Sequence, residues 1–181
     1  MMKIKENIHL ICEGITEVEF VEKIKSTFES KYNVIMENAQ SGDRIVKKYK
    51  NILKMNPYAK VLVMIDLDNK RKIKDIHNLF KQSEFDVDKT DIYFVNPTFE
   101  LIFVMCKRNS KPITGYKKLM KDIYGIDEYN KSEKQIKKIV KQITKDEIIG
   151  LMVKLQSLSH DDSDIRSSNY DKLFKKLFII K

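Results

Sequence analysis

At 181 residues, 42% hydrophobic and 34% charged, the chain can bury a core without disulfide or metal staples, which excludes a disordered or small disulfide-framed protein. No apolar run approaches the ~20 residues of a bilayer span, and MMKIKENIHL lacks the apolar centre of a signal peptide, so a cytoplasmic protein with no membrane partner is expected. The net charge of +9 is lopsided: residues 1–100 carry 17 Lys/Arg and 16 Asp/Glu, and residues 101–181 carry 18 and 10, which fits a polyanionic partner or, equally, ordinary solvated lysines.

IHLIC (8–12), NVIME (33–37), KVLVMI (60–65) and DIYFV (91–95) are continuous apolar runs of strand length, predicted as buried strands. Between them the apolar spacing predicts helices near 17–30, 43–54 and 71–82. Val18, Val21, Ile24 and Phe28 mark the first helical face, and Ile45, Tyr49, Ile52 and Leu53 the second. This alternation predicts an α/β fold with a largely parallel four-stranded sheet covered by helices. After about residue 98 the strand signal stops. FELIFVMC reads as a buried helix, followed by helices near 115–123, 133–143, 145–158 and 168–178. Ser132-x-x-Gln135 and Thr144-x-x-Glu147 match the capping box, in which the third helical residue reaches back to the cap. No Gly/Ser-rich linker or repeat interrupts the chain. One domain is expected, an α/β core over 1–105 with an all-helical extension over 106–181. Cys12 and Cys106 lie in apolar surroundings with no Cys-x-x-Cys, which predicts buried, reduced thiols.

The stretch LICEGITEVEF (10–20) holds three carboxylates with different expected duties. Thr16-x-x-Glu19 is a capping-box pattern flanked by Ile15 and Phe20, so Glu19 is expected to be structural. Glu17 falls in the first turn, where it favours the helix dipole. Glu13 ends a buried strand just before Gly14, expected to permit a sharp turn. In open parallel sheets the carboxyl ends of the strands face the ligand crevice. VLVMIDLDNK ends the same way. If that strand continues through both, Asp66 and Asp68 share a face; the plainer reading is a pair of turn or capping aspartates. Three carboxylates held together repel one another unless a cation intervenes, and Mg²⁺ (or Mn²⁺) is the natural oxygen-liganded partner.

These residues resemble the TOPRIM domain of topoisomerases, primases and several nucleases, whose signature is a glutamate after the first strand (EGITE) and an Asp-x-Asp after a later one (DLD). NPTFELIFVM (96–105) is similar to the Asn-Pro-x-Phe-Glu-Leu segment of RloB-like proteins, small TOPRIM proteins associated with restriction and abortive-infection loci. The resemblance implies Glu13 as general base or metal ligand, Asp66 and Asp68 as Mg²⁺ ligands, and Glu17 as the second acid of the first motif. It implies a metal-dependent nuclease in anti-phage defence, with RNA or DNA as substrate and room for a defence-system partner protein. Glu100, set among Phe99, Leu101, Ile102 and Phe103, is a candidate further acid, or a first-turn glutamate favoured by the dipole. The chain is too short for the added domains of a topoisomerase or primase. Related nucleases often use a lysine near the metals, and Lys70, Arg71, Lys107 and Lys111 are the candidates.

In the basic half, Lys134, Lys138 and Lys141 are expected on one face of the 133–143 helix, opposite Ile136, Ile139, Val140 and Ile143, as a phosphate track or a solvated face. KRNSKPITGYKK (107–118) adds basic residues and Tyr116, which could stack on a base. His160 in SHDDSD has no metal-ligand spacing and reads as part of a polar loop. Two other functions stay open. One is a module that binds nucleic acid or a partner without catalysis. The other is a phosphatase resembling the haloacid-dehalogenase group, with Asp66 as nucleophile and Asp68 as acid/base. That motif normally follows the first strand of its domain and has Thr or Val two residues after the second Asp, whereas Asn69-Lys70 follow here.

Overall fold

The computed structural model describes residues 4–68, 73–82, 91–109, 114–161, 164 and 166–180. Four strands, β1 (Asn7–Cys12), β3 (Asn33–Asn38), β4 (Lys60–Asp66) and β5 (Ile92–Asn96), pair in parallel. With β6 (Ser167–Ser168) they form a sheet ordered β3-β1-β4-β5-β6. Because the strands are covered on both faces they need no polar alternation, and β5 is buried at every residue. Successive side chains still divide between two cores. Ile8, Leu10, Cys12, Leu62, Met64, Tyr93 and Val95 enter one. Ile11, Val61, Val63, Ile65, Ile92 and Phe94 enter the other.

The helices divide unequally between these faces. On one side α1 (Ile15–Thr27) joins α4 (Glu100–Lys107), α5 (Tyr116–Tyr124), α6 (Glu133–Lys141), α7 (Lys145–Gln156) and α8 (Tyr170–Leu177) in a continuous apolar cluster. On the other, α2 (Ile45–Met55) and α3 (Ile73–Lys81) contribute Ile45, Tyr49, Ile52, Ile76 and Phe80. The chain leaves β1 through α1 to reach β3 on one flank, then crosses through α2 to β4 on the other flank. The carboxyl ends of β1 and β4 therefore border the topological switch point, where ligands bind in open α/β sheets.

The expected four strands are present, but the C-terminal part is not all helical. β6 runs antiparallel to β5, and Asn169 extends the pairing with its side chain. Its Oδ1 accepts from Phe94 N–H (2.7 Å), and its Nδ2 donates to the Ile92 carbonyl (3.2 Å). A second small ladder joins β2 (Glu29–Ser30) to β7 (Phe178–Ile179), so the predicted first helix stops at Thr27 rather than 30. Two-residue strands carry no periodic signal, and serine is a poor strand former, so neither ladder was visible in the residue pattern. The later helices match their predicted positions within a few residues, and both cysteines are buried and unpaired. Among the described residues no helix is long and apolar enough to cross a membrane.

Candidate functional site

The β1 ladder continues one residue past the strand, with Glu13 N–H donating to the Met64 carbonyl (3.1 Å). The Glu13 side chain then crosses to the neighbouring strand end, where its Oε2 accepts from Asp66 N–H (3.1 Å). Gly14 caps α1, and its N–H donates to Glu17 Oε2 (3.1 Å). The capping frame is thus Gly14-x-x-Glu17, not the expected Thr16-x-x-Glu19. Glu19 instead faces Lys137 at 3.6 Å. At φ −144° Gly14 is extended, so no sharp turn requires it. What it allows is close approach: a Cβ there would lie 3.3 Å from Glu17 Oε2.

Asp66 closes β4, and its Oδ2 accepts from Phe99 N–H (3.0 Å) just ahead of α4. That helix start is held by aromatic packing. Phe20 of α1 meets the Phe99 ring edge-on at 5.6 Å, and Phe99 lies 5.9 Å from Tyr170, each such pair contributing about 0.5–1.5 kcal/mol. Tyr170 also donates its hydroxyl to the Ile65 carbonyl (2.8 Å) beneath the strand end. Burial, then the charge of Glu17 beside it, pushes Asp66 well above the usual aspartate range. Burial likewise pushes Glu17 up to about 7, helped by Glu13.

Glu100 is as deeply buried, at 2% exposure, yet its pKa moves the other way. Burial alone would raise it. The Lys131 ammonium (2.9 Å), the Thr98 hydroxyl and the Tyr129 hydroxyl (2.8 Å) more than offset that, and the carboxyl lies below its ordinary value. Lys131 occupies a left-handed backbone position (φ +60°), with 53% of its side chain open to solvent. Burial works against its charge, but Glu100, Asp66 and Asp68 together hold the ammonium above the usual lysine value. Thr98 Oγ1 lies within bonding distance of both Glu100 and Asp66 Oδ2 (3.2 Å). A hydroxyl has one proton to give. It can therefore serve only one of the two carboxyls at a time, which ties Glu100 and Asp66 together through a single donor.

The structure therefore brings together Glu13, Glu17, Asp66 and Glu100, and adds Lys131, Tyr129 and Thr98, which the sequence reading did not single out. Half-buried Tyr116 lies close enough that Glu100 and Asp66 raise its hydroxyl pKa further, after burial. Asp68 does not join the cluster as a strand neighbour. β4 ends at Asp66, Leu67 turns into the core, and Asp68 is exposed at φ +52°, so the two aspartates do not share a strand face.

The lysines separate as well. Lys107 is committed to the junction of α4 and α7, donating to the Gln142 carbonyl (2.6 Å) and pairing with Glu147 at 2.8 Å. Lys134, Lys138 and Lys141 are exposed on α6 as expected and line a shallow groove with Lys137, while Ile136, Ile139 and Val140 are buried. Lys70, Arg71 and Lys111 lie outside the described residues. The Thr144–Glu147 capping box forms. Ser132 stands at the N-cap position of α6 without a side-chain cap bond, and Gln135 turns to Asn130 N–H and the Glu128 carbonyl. His160 sits 3.2 Å from buried Asp171.

Glu13, Glu17 and Asp66 offer hard oxygen donors of the kind Mg²⁺ and Mn²⁺ take. The raised pKa values of Glu17 and Asp66 show an electrostatic deficit that a divalent cation would relieve. Each is anchored by one oxygen on a different backbone N–H. Among the described residues, no three carboxylates, imidazoles or thiolates converge as a finished metal cage. Fold and site together define an α/β protein with a mostly parallel five-stranded sheet and a largely buried cluster of acidic side chains at its switch point. Comparison with protein-family models, curated proteins and solved structures finds no match.

Proposed function

We propose that this chain is a TOPRIM-type, RloB-like nuclease that uses Mg²⁺ or Mn²⁺ to hydrolyse nucleic-acid phosphodiester bonds. The observation that carries the reading is the gathering of Glu13, Glu17 and Asp66 at the β1–β4 switch point, with the Lys131–Glu100 pair beside them. Glu13 and Asp66, with Glu17, would hold the cation, which supplies charge neutralisation at phosphorus and a more acidic bound water. One of these carboxylates would accept the proton lost when water attacks phosphorus and the P–O bond to the leaving oxygen breaks. Lys131, fixed by Glu100, aims a positive charge at the same crevice and suits the negative charge that builds on the phosphoryl oxygens. It joins Lys70, Arg71 and Lys111 as a candidate basic residue, while Lys107 is committed elsewhere. The part in anti-phage defence rests on the resemblance of NPTFELIFVM alone.

The test is cleavage of labelled RNA and DNA in millimolar Mn²⁺, with a small phosphomonoester as the control substrate. Wild type should cut the polymers and not the ester, Asp66→Asn and Glu13→Gln should fall to background, and Lys131→Met should lose roughly 10²–10³-fold. Mn²⁺ at a hundredfold excess over Kd should stabilise wild type by about 2.7 kcal/mol and leave Asp66→Asn unmoved. Equal cutting or an equal metal response in Asp66→Asn would refute the assignment. A second reading, a binding module without catalysis, is favoured by the internal pairing of Glu100 with Lys131, which satisfies that acid without a metal. Tight nucleic-acid binding with no cleavage in any metal would establish it.

A further inference from the structure

Beyond β3 the chain turns through Ala39 and Gln40 toward a short 3-10 turn, Gly42–Arg44, that leads into α2. Arg44, Lys47, Lys48 and Asn51 follow at spacings of three, one and three, which places them on a single helical face. They form one wall of a groove whose other side is Asn38, Ala39 and Gln40. Among the described residues that line it are guanidinium, ammonium and amide groups, with no carboxylate and no aromatic ring. Arg44 is held in place by donating to Gln40 Oε1 (2.6 Å), and Gln40 N–H in turn donates to Asn38 Oδ1 (2.8 Å). Glu37 pairs with Lys48 at 3.0 Å, so Arg44 and Lys47 carry most of the groove's positive charge.

Position gives the groove its meaning. Asn38 is the register partner of Cys12, and Ala39 N–H donates to the Cys12 carbonyl (2.9 Å), one residue before Glu13. The groove thus opens at the same carboxyl edge of the sheet as the acidic cluster, one strand further out. We infer that it binds the sugar-phosphate backbone of a nucleic acid and leads the strand across β1 to the Glu13–Asp66 crevice. This deepens, and rests on, the nuclease reading. Donor-rich side chains without rings suit phosphate oxygens rather than bases, so the contact is independent of sequence and alike for RNA and DNA.

The test measures binding without divalent metal, so that nothing is cut, using fluorescein-labelled 20-nucleotide single strands of RNA and of DNA across a salt series. Each phosphate neutralised on a single strand contributes about 0.7 to the slope of log affinity against log salt. Arg44→Gln/Lys47→Gln should therefore flatten the slope by about one to one and a half with both probes, and weaken binding about tenfold at moderate salt. Both side chains are exposed, so Tm should hold. A matched loss of charge on α8, Lys172→Gln/Lys175→Gln, should leave the slope at its wild-type value. An unchanged slope in the groove variant, equal flattening in the α8 variant, or no binding by wild type each overturns the inference. If Asp66-dependent cutting persists while the groove variant binds like wild type, the inference alone falls. If the groove dependence holds and Asp66→Asn changes no cleavage, the nuclease reading alone falls.

Discussion

Two carboxylate groups lie side by side at the edge of the sheet, linked through the Thr98 hydroxyl, and they answer burial in opposite ways. Around Glu100 the protein supplies its own cation and two hydroxyl donors, and the acid stays ionised. Around Glu17 and Asp66 it supplies backbone N–H groups and another glutamate, and the acids are driven toward neutrality. Depth is the same within a few per cent, since Glu17, Asp66 and Glu100 are 3%, 7% and 2% exposed. The partner, not the burial, decides the charge. The compensated acid behaves as a fixed part of the wall; the uncompensated pair is where an outside cation has most to gain.

The sharpest way to break that contrast is to remove one member from each side. Lys131→Met leaves Glu100 buried with only its hydroxyl partners. Stranding a buried charge costs about 3–5 kcal/mol, and the half-exposed lysine reduces this to roughly 2. Asp66→Asn should be neutral or slightly stabilising in the absence of metal, because it removes repulsion. Urea denaturation of the two variants checks the opposite signs.

A smaller effect should appear in pH dependence. Folded protein keeps a proton on Glu17 up to about 7, whereas the group's ordinary value is 4.5. This site therefore stabilises the fold fully below about 4.5, and the contribution is lost as pH rises through 7. Glu100 has the reverse sign: its contribution is present above the ordinary glutamate value and lost as pH falls through its lowered one. Between pH 5.5 and 7.5 wild type should lose about 2 kcal/mol, or roughly 4–8 °C of Tm, through Glu17. Glu17→Gln, which cannot ionise, should abolish that part of the slope, and an unchanged thermal profile would show that Glu17 is already ionised at pH 5.5.

The smallest change belongs to Glu19. It contacts Lys137 near the surface at 3.6 Å and caps nothing, so Glu19→Ala should shift stability by less than about 0.5 kcal/mol. A loss near 1 kcal/mol, the usual value of a helix cap, would restore the Thr16 frame.

Glu13 and Asp66 were legible in the residue order because buried parallel strands read as continuous apolar runs, and an acid ending such a run stands out. Glu100 stood out for the same reason inside an apolar helix. The capping frame was misassigned because Gly14-x-x-Glu17 and Thr16-x-x-Glu19 have the same spacing. What decides between them is that Glu13 N–H still belongs to the sheet and that the Gly14 carbonyl accepts the first helical bond, from Val18. Lys131 and Tyr129 gave no local signal. They come from an irregular stretch between α5 and α6, and only tertiary packing brings them to Glu100. The groove at Arg44 and Lys47 was hidden by averaging, since 17 bases against 16 acids over residues 1–100 conceals a local concentration of one sign.

The bonds from Ser168 and Asn169 to the edge of β5 reach partners 74 to 77 positions earlier in the chain. At ~5–20 residues per second, synthesis needs roughly 4–15 s to cover that distance. Until then β5 is an apolar strand with an open edge, the kind of template that pairs with another chain. Tyr170 reaches the Ile65 carbonyl just as late, so the wall beneath Asp66 is finished only when α8 has emerged. A polypeptide still leaving the ribosome therefore holds every acid of the crevice without the crevice itself.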